Sequence, residues 1–192
     1  MVKNVYGVGL VLFGVTMLIF FGMYFFGMNT DYFNNSLFIN AFILPAVYLA
    51  GAYFSVYTWK KTGGEMSFPS IFGRSFKPMF VGGILSILSM FAFLNFVDKP
   101  AKDLLNYQYI ERQKSELTVE YERAKLGSQK PDDLKQLDDS YNLRLKSFSP
   151  EMIKDKDMFS FRQFTYYFGA IIVFYVILSV FFASFFRSRS EH

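Results

Sequence analysis

The sequence predicts an all-α integral membrane protein: four transmembrane helices, with an extracytoplasmic helical hairpin inserted between helices 3 and 4. Three observations predict it. Four long stretches carry no charge, the charged residues are segregated into the segments between them, and one of those segments shows helical periodicity broken by a glycine and proline turn. Hydrophobic residues make up 52% of the 192-residue chain and aromatics 21%, a composition outside the range of ordinary soluble domains. Confinement of charge to particular segments is what a hydrocarbon layer imposes.

The first span is read as about 5–28. This uncharged run is longer than the ~30 Å hydrocarbon core requires and longer than a signal-peptide core. Asn29-Thr30-Asp31-Tyr32 after it lacks a small-x-small cleavage pattern, so the helix is expected to stay attached. The second span is read as about 37–59, with Pro45 expected to remove one hydrogen bond and kink it. The third is read as about 78–97, Pro78 suiting a first turn, and the fourth begins at Tyr166 and runs to Phe186. These readings divide the chain into 1–97, with a cytoplasmic loop at 60–77, an insert at 98–165, and 166–192.

Orientation follows from the basic residues of the short connections. Lys60, Lys61, Arg74 and Lys77 lie between spans two and three, Arg187 and Arg189 follow span four, and Lys3 precedes span one. Asn29 to Ser36 holds Asp31 and no basic residue. Both termini are therefore expected in the cytoplasm and 98–165 outside it. The insert carries equal numbers of basic and acidic residues, so the net charge of +4 belongs to the inner side and nucleic acid is not an expected partner.

Within the insert, Pro100 ends or bends the third helix, after which Tyr107, Ile110, Leu117, Tyr121 and Ala124 step at heptad-like intervals, with Lys114 in the one gap. Gly127-Ser128-Gln129-Lys130-Pro131 signals a turn. Leu134, Leu137, Tyr141, Leu145 and Phe148 mark a second amphipathic helix. Ser149-Pro150-Glu151 reads as the capped start of a third, short helix. Pairs such as Asp98/Lys102, Glu111/Lys114, Glu120/Arg123 and Asp132/Lys135 account for most charges as a solvated, salt-bridged face. The competing reading makes Tyr107, Ile110, Lys114, Leu117 and Tyr121 a docking face for a partner protein or lipid headgroups.

Familiar catalytic constellations are missing. There is no cysteine, the one histidine is the terminal His192, and no HExxH, GxSxG or phosphate-loop motif occurs. Paired Asp132/Asp133 and Asp138/Asp139 lack the loop that wraps calcium. No catalytic residue, cofactor or metal is expected. The spans read above hold no ionisable acid, base or histidine, which argues against ion-coupled transport. Asn40 and Asn95 are expected to hydrogen-bond between helices. Ala46, Ala50, Gly82 and Ser86 are expected to allow close helix packing.

The loop before span three places Phe68, Ile71, Phe72 and Phe76 on one side of a short interfacial helix, with Arg74 and Lys77 toward headgroups. The glycine-containing turn followed by Ser67-Phe68, then Phe72-Gly73, Asp98-Lys99-Pro100 and the long polar insert resembles the small four-span family catalogued as domain-of-unknown-function family 4199, found mostly in Bacteroidetes. The resemblance implies a multi-pass protein of the bacterial inner membrane and carries over no catalytic or binding residue. The expected role is a non-catalytic accessory or scaffold, whose partners are membrane lipid and an envelope or membrane protein or a second copy. The alternative is a binder or carrier of lipid or a hydrophobic solute, motivated by the abundant phenylalanine and the Pro45 kink.

Overall fold

The computed structural model describes residues 4–127, 130–153 and 156–187. Lys3, Arg189, His192 and the Ser128-Gln129 part of the expected turn lie outside the described residues. The described chain is helical, with no strand, and forms α1 (Val5–Gly27), α2 (Tyr32–Lys61), α3 (Phe68–Val97), α4 (Lys99–Gly127), α5 (Pro131–Lys146), α6 (Pro150–Ile153) and α7 (Phe161–Phe186). Helices α1, α2, α3 and α7 are long and apolar enough to cross a membrane.

Three helix starts differ from the sequence reading. Helix α2 starts at Tyr32 rather than near Leu37, because Tyr32 and Phe33 are buried against Leu94, Ala101 and Leu105 and are thereby drawn into a helical turn. Helix α3 starts at Phe68, so Pro78 lies inside it, and the separate interfacial helix expected at 68–77 is its first turns. The expected 60–77 loop shrinks to the short connection between Lys61 and Phe68. At 30 residues α3 is about 45 Å long, enough for the hydrocarbon core and both headgroup layers. Helix α7 likewise starts earlier, at Phe161, where the Ser160 hydroxyl accepts the Gln163 N–H.

Pro78 survives inside α3 because its defect is repaired. A proline has no N–H to give the carbonyl four residues back, here that of Arg74. The Ser55 hydroxyl of α2 donates to that carbonyl at 2.7 Å. Pro45 sits just after a five-residue π-helical stretch, Ile39–Ile43, which closes with the Leu44 N–H on the Ile39 carbonyl. A second such stretch, Phe93–Val97, ends α3. Each contains an asparagine whose amide donates to the carbonyl four residues back, Asn40 to Ser36 at 2.7 Å and Asn95 to Phe91 at 3.1 Å. Side-chain donors thus serve carbonyls at the widened turns.

Helix α3 is the hub, packing on α1, α2 and α7. Lipid tails are as apolar as leucine, so close van der Waals fit must hold the spans together. At the α1–α3 crossing, a Cβ on Gly82 would lie 2.9 Å from the Gly9 carbonyl oxygen and 2.8 Å from Leu12 Cβ. One on Gly9 would lie 2.9 Å from Val81 Cβ. Gly83 makes room for the Tyr175 ring, which stacks on Tyr48 at 5.3 Å. Leu12, Ala52, Val56, Ile71, Met79, Phe182 and Ala183 complete this core.

Gly82→Ala should therefore cost about 1–3 kcal/mol through overpacking against backbone that cannot yield. Gly14→Ala, whose Cβ would meet nothing within 4 Å, should cost none. Thermal denaturation of the two variants in the same detergent checks this.

Candidate functional site

The richest polar constellation lies where α4 meets the bundle. Asp98, with non-helical backbone at φ −131° and ψ 84°, separates α3 from α4. Its Oδ1 accepts the Ala101 N–H at 3.1 Å and so caps α4, with Pro100 beside it in the first turn. Its Oδ2 accepts the Tyr24 hydroxyl of α1 at 2.5 Å.

From that start, two flanks of α4 are fastened to different segments. On one, Lys102 Nζ lies 3.0 Å from Asp157 Oδ2, and Asn106 Nδ2 donates to Asp157 Oδ1 at 2.9 Å. Asn106 Oδ1 accepts the Met158 N–H at 3.0 Å, and Asn95 Nδ2 donates to the Phe159 carbonyl at 3.1 Å. On the other, Gln108 Oε1 accepts the Phe33 N–H at 2.7 Å and its Nε2 donates to the Asn29 carbonyl at 2.8 Å. One turn on, Arg112 donates to Asn34 Oδ1 at 3.1 Å. The four-residue steps 102/106 and 108/112 set each pair on one face, and the two faces lie about 120° apart around the helix. Helix α4 is thus wedged between the α1–α2 turn and the segment leading into α7.

Asp157 is the electrostatic centre of the wedge. Burial disfavours its charge, but the hydrogen bonds from Asn106, Lys102 and the Phe159 amide, with the Lys102 charge, outweigh that and hold the carboxyl below its usual range. The side chains of Lys102 and Asp157 remain 17% and 32% exposed, so solvent weakens the pair.

Beyond the wedge, α4 and α5 run antiparallel in contact. Tyr121 and Tyr141 stack with centroids 4.3 Å apart, the Tyr121 hydroxyl donates to Asp138 at 2.7 Å, and Arg144 pairs with Glu120 at 3.0 Å. The five residues read as one docking face do not share one exposed surface. Ile110 and Leu117 are each only 5% exposed, Tyr107 is 62% exposed, Lys114 pairs with Glu111 at 2.8 Å, and Tyr121 is taken by Tyr141 and Asp138. Asn95, Gly82 and Ser86 sit at helix contacts, whereas Asn40, Ala46 and Ala50 lie on the outer surface of the described bundle. Sequence reasoning missed Gln108 and Asp157. It paired Lys102 with Asp98 and Glu120 with Arg123, where the partners are Asp157 and Arg144.

A family model described as Protein of unknown function (DUF4199) matches residues 6–188, nearly the whole chain. The chain belongs to this family. The match takes in all four membrane-length helices together with the wedge and α5, so these are parts of the DUF4199 unit. No curated protein and no solved structure matches the chain.

Lys102→Met should loosen the wedge by about 1–2 kcal/mol, the range for a hydrogen-bonded ion reduced by partial exposure. Because folded Asp157 is the stronger acid, its contribution is complete above its unfolded pKa of about 3.9 and fades as pH falls through the lower folded value. Hydrogen-exchange protection of the Met158 and Phe159 amides, corrected for intrinsic rates, should therefore hold from neutral pH to about pH 5 and fall only in stronger acid.

Proposed function

We propose that this chain is a non-catalytic accessory or scaffold subunit of the bacterial inner membrane. In this reading α4 to α6 form an extracytoplasmic helical hairpin that engages a partner. Lys60 and Lys61 at the end of α2, Arg74 and Lys77 in the first turns of α3, and Arg187 after α7 support the orientation, with both termini cytoplasmic. The observation that carries the reading is the state of α5. This 16-residue helix has no fully buried side chain: Leu134 and Leu137 are half-buried, and Leu143 and Leu145 are exposed.

A lone helix of that length is marginal in water, and most helical stability comes from packing an apolar face. Each leucine left uncovered forgoes about 1.5–3 kcal/mol of available burial. Leu126 and Leu143, at 87% and 71% exposed, extend the uncovered surface along the hairpin. By contrast, the base of α4 is fastened on two sides, so the uncovered surface is presented from a fixed mount. That combination fits a surface completed by another membrane or envelope protein, or by a second copy.

A photo-crosslinking amino acid at Leu143, used in native membranes, should give one discrete product of higher mass, identified by mass spectrometry. The same group at Leu18, a 75%-exposed residue within α1, should give lipid adducts only. Monomer alone at position 143 would refute the proposal.

A further inference from the structure

At the end of the bundle opposite the wedge, α2 and α7 meet along a seam with an aromatic wall. Tyr53 and Tyr57, one turn apart on α2, stack with centroids 5.9 Å apart, and the Phe186 ring of α7 packs against Tyr53 at 6.0 Å. Phe186 stacks in turn on the buried Phe182 at 5.9 Å, so the wall is anchored in the core. Both tyrosines stay about half exposed, at 48% and 49%.

A cation from each helix flanks this wall. Lys60 follows Tyr53 by seven residues, two helical turns, and so returns to the same flank within about 20°. Its Cα–Cβ bond tilts toward the start of α2, which sets the side chain over Tyr57. Arg187 leaves α7 directly after Phe186 in an extended conformation, φ −60° and ψ 133°. Both cations are exposed.

The polar groups of the seam lack acceptors. Among the described residues, the Tyr53 and Tyr57 hydroxyls, the Lys60 ammonium and the Arg187 guanidinium make no hydrogen bond or ion pair. The other end of the molecule treats its cations differently, since Lys102, Arg112, Lys114 and Arg144 all have carboxylate partners. Tyrosines at a membrane interface are ordinary, but this pair is clamped by a ring of another helix and flanked by two unmatched cations. In a bilayer centred on α2, Tyr57 lies about 6 Å from the end of the helix, at the headgroup boundary, and Tyr53 about 12 Å, beside the first acyl carbons. The acceptors at hand there are the oxygens of a lipid. Two cations with no carboxylate beside them repel a choline or ethanolamine nitrogen and favour a headgroup whose only charge is its phosphate.

We propose that the seam at Tyr53 and Tyr57 holds the headgroup of an anionic phospholipid of the phosphatidylglycerol class. Lys60 and Arg187 pair with the phosphate charge, the two phenols donate to phosphate and ester oxygens, and the acyl chains run on past Leu49, one turn from Tyr53 and 43% exposed. The assignment rests on the apolar helices crossing a membrane, and neither on the role given to the hairpin nor on which side faces the cytoplasm.

The full chain, stripped of lipid in a nonionic detergent, is offered equal amounts of phosphatidylglycerol and phosphatidylcholine with the same acyl chains, and the lipid it retains is read by native mass spectrometry. One basic residue beside an anionic headgroup gives about fivefold in preference, so with two of them phosphatidylglycerol should be retained about twenty-five-fold over phosphatidylcholine. Lys60→Gln and Arg187→Gln should each lower that preference about fivefold. Tyr53→Phe combined with Tyr57→Phe should reduce retention of both lipids and leave their ratio, because the phenols donate to either phosphate. Lys77→Gln is the control at the same end: the residue faces away from the core, two positions from each of the buried Ser75 and Met79, and its loss should leave the preference intact. Equal retention of the two lipids by the unaltered protein overturns the site. A fall with Lys77→Gln as large as with Lys60→Gln overturns it in favour of a diffuse surface field. Retention of inorganic phosphate without a lipid preference overturns the lipid assignment in favour of a free oxyanion. Recovery of the chain from cells without detergent overturns the membrane setting on which the site rests. All the substituted side chains are exposed, and should a variant still fail to fold, the ratio in the unaltered protein decides.

Discussion

A carbonyl covered by a neighbouring helix has little water to turn to, and in this protein the carbonyl of Arg74 is deprived of its helical partner by Pro78. Its rescue by Ser55 across 2.7 Å is the contact on which the α2–α3 pairing depends. Because Ser55 must reach that oxygen, the two helices are held at fixed register, and the register in turn brings Trp59 beneath Arg74. The same requirement explains why both π-helical stretches contain an asparagine bonded to the carbonyl four residues back. With α3 held in this way, the glycine contacts at Gly9, Gly82 and Gly83 bring α1 and α7 onto it at backbone distance.

Two kinds of cohesion divide the molecule. Between the spans, attraction comes from fit and from a few internal hydrogen bonds such as Thr16 to Tyr48 at 3.3 Å. At the wedge it comes from polar groups removed part-way from water, with Asp157 as a shared acceptor for a lysine, an amide side chain and a backbone N–H. The first kind is indifferent to pH and salt, and the second responds to both. Among the described residues, α4 beyond the wedge and α5 meet through exposed hydrogen bonds, an exposed ion pair and one tyrosine stack.

Much of this was legible in the sequence, for physical reasons that can be named. The four spans announce themselves because hydrocarbon excludes charge over a length that chance does not produce. Their ends are less visible, since a headgroup layer accepts Ser70, Arg74 and Arg162 in a helix as readily as a loop would. Pro78 read as a helix start because a missing N–H is ordinarily harmless only there; the repairing hydroxyl stands 23 positions earlier in another helix and leaves no local mark. The wedge was hidden similarly, as Lys102 has an acid four residues before it, yet its partner Asp157 is 55 residues away. Asn95 was singled out as a lone amide in an apolar run and does join two segments, whereas Asn40 serves its own helix.

The central claim is that the four apolar helices cross a membrane with the Lys60–Lys61 and Arg74–Lys77 ends of α2 and α3 on the inner side and α4 to α6 on the outer. The chain has no cysteine, so single exposed sites at Glu65 and Leu126 can each be replaced by cysteine and probed in intact cells with a membrane-impermeant maleimide. The account predicts labelling at 126 in intact cells and at 65 only after the membrane is breached. Labelling at 65 with protection at 126 would contradict it.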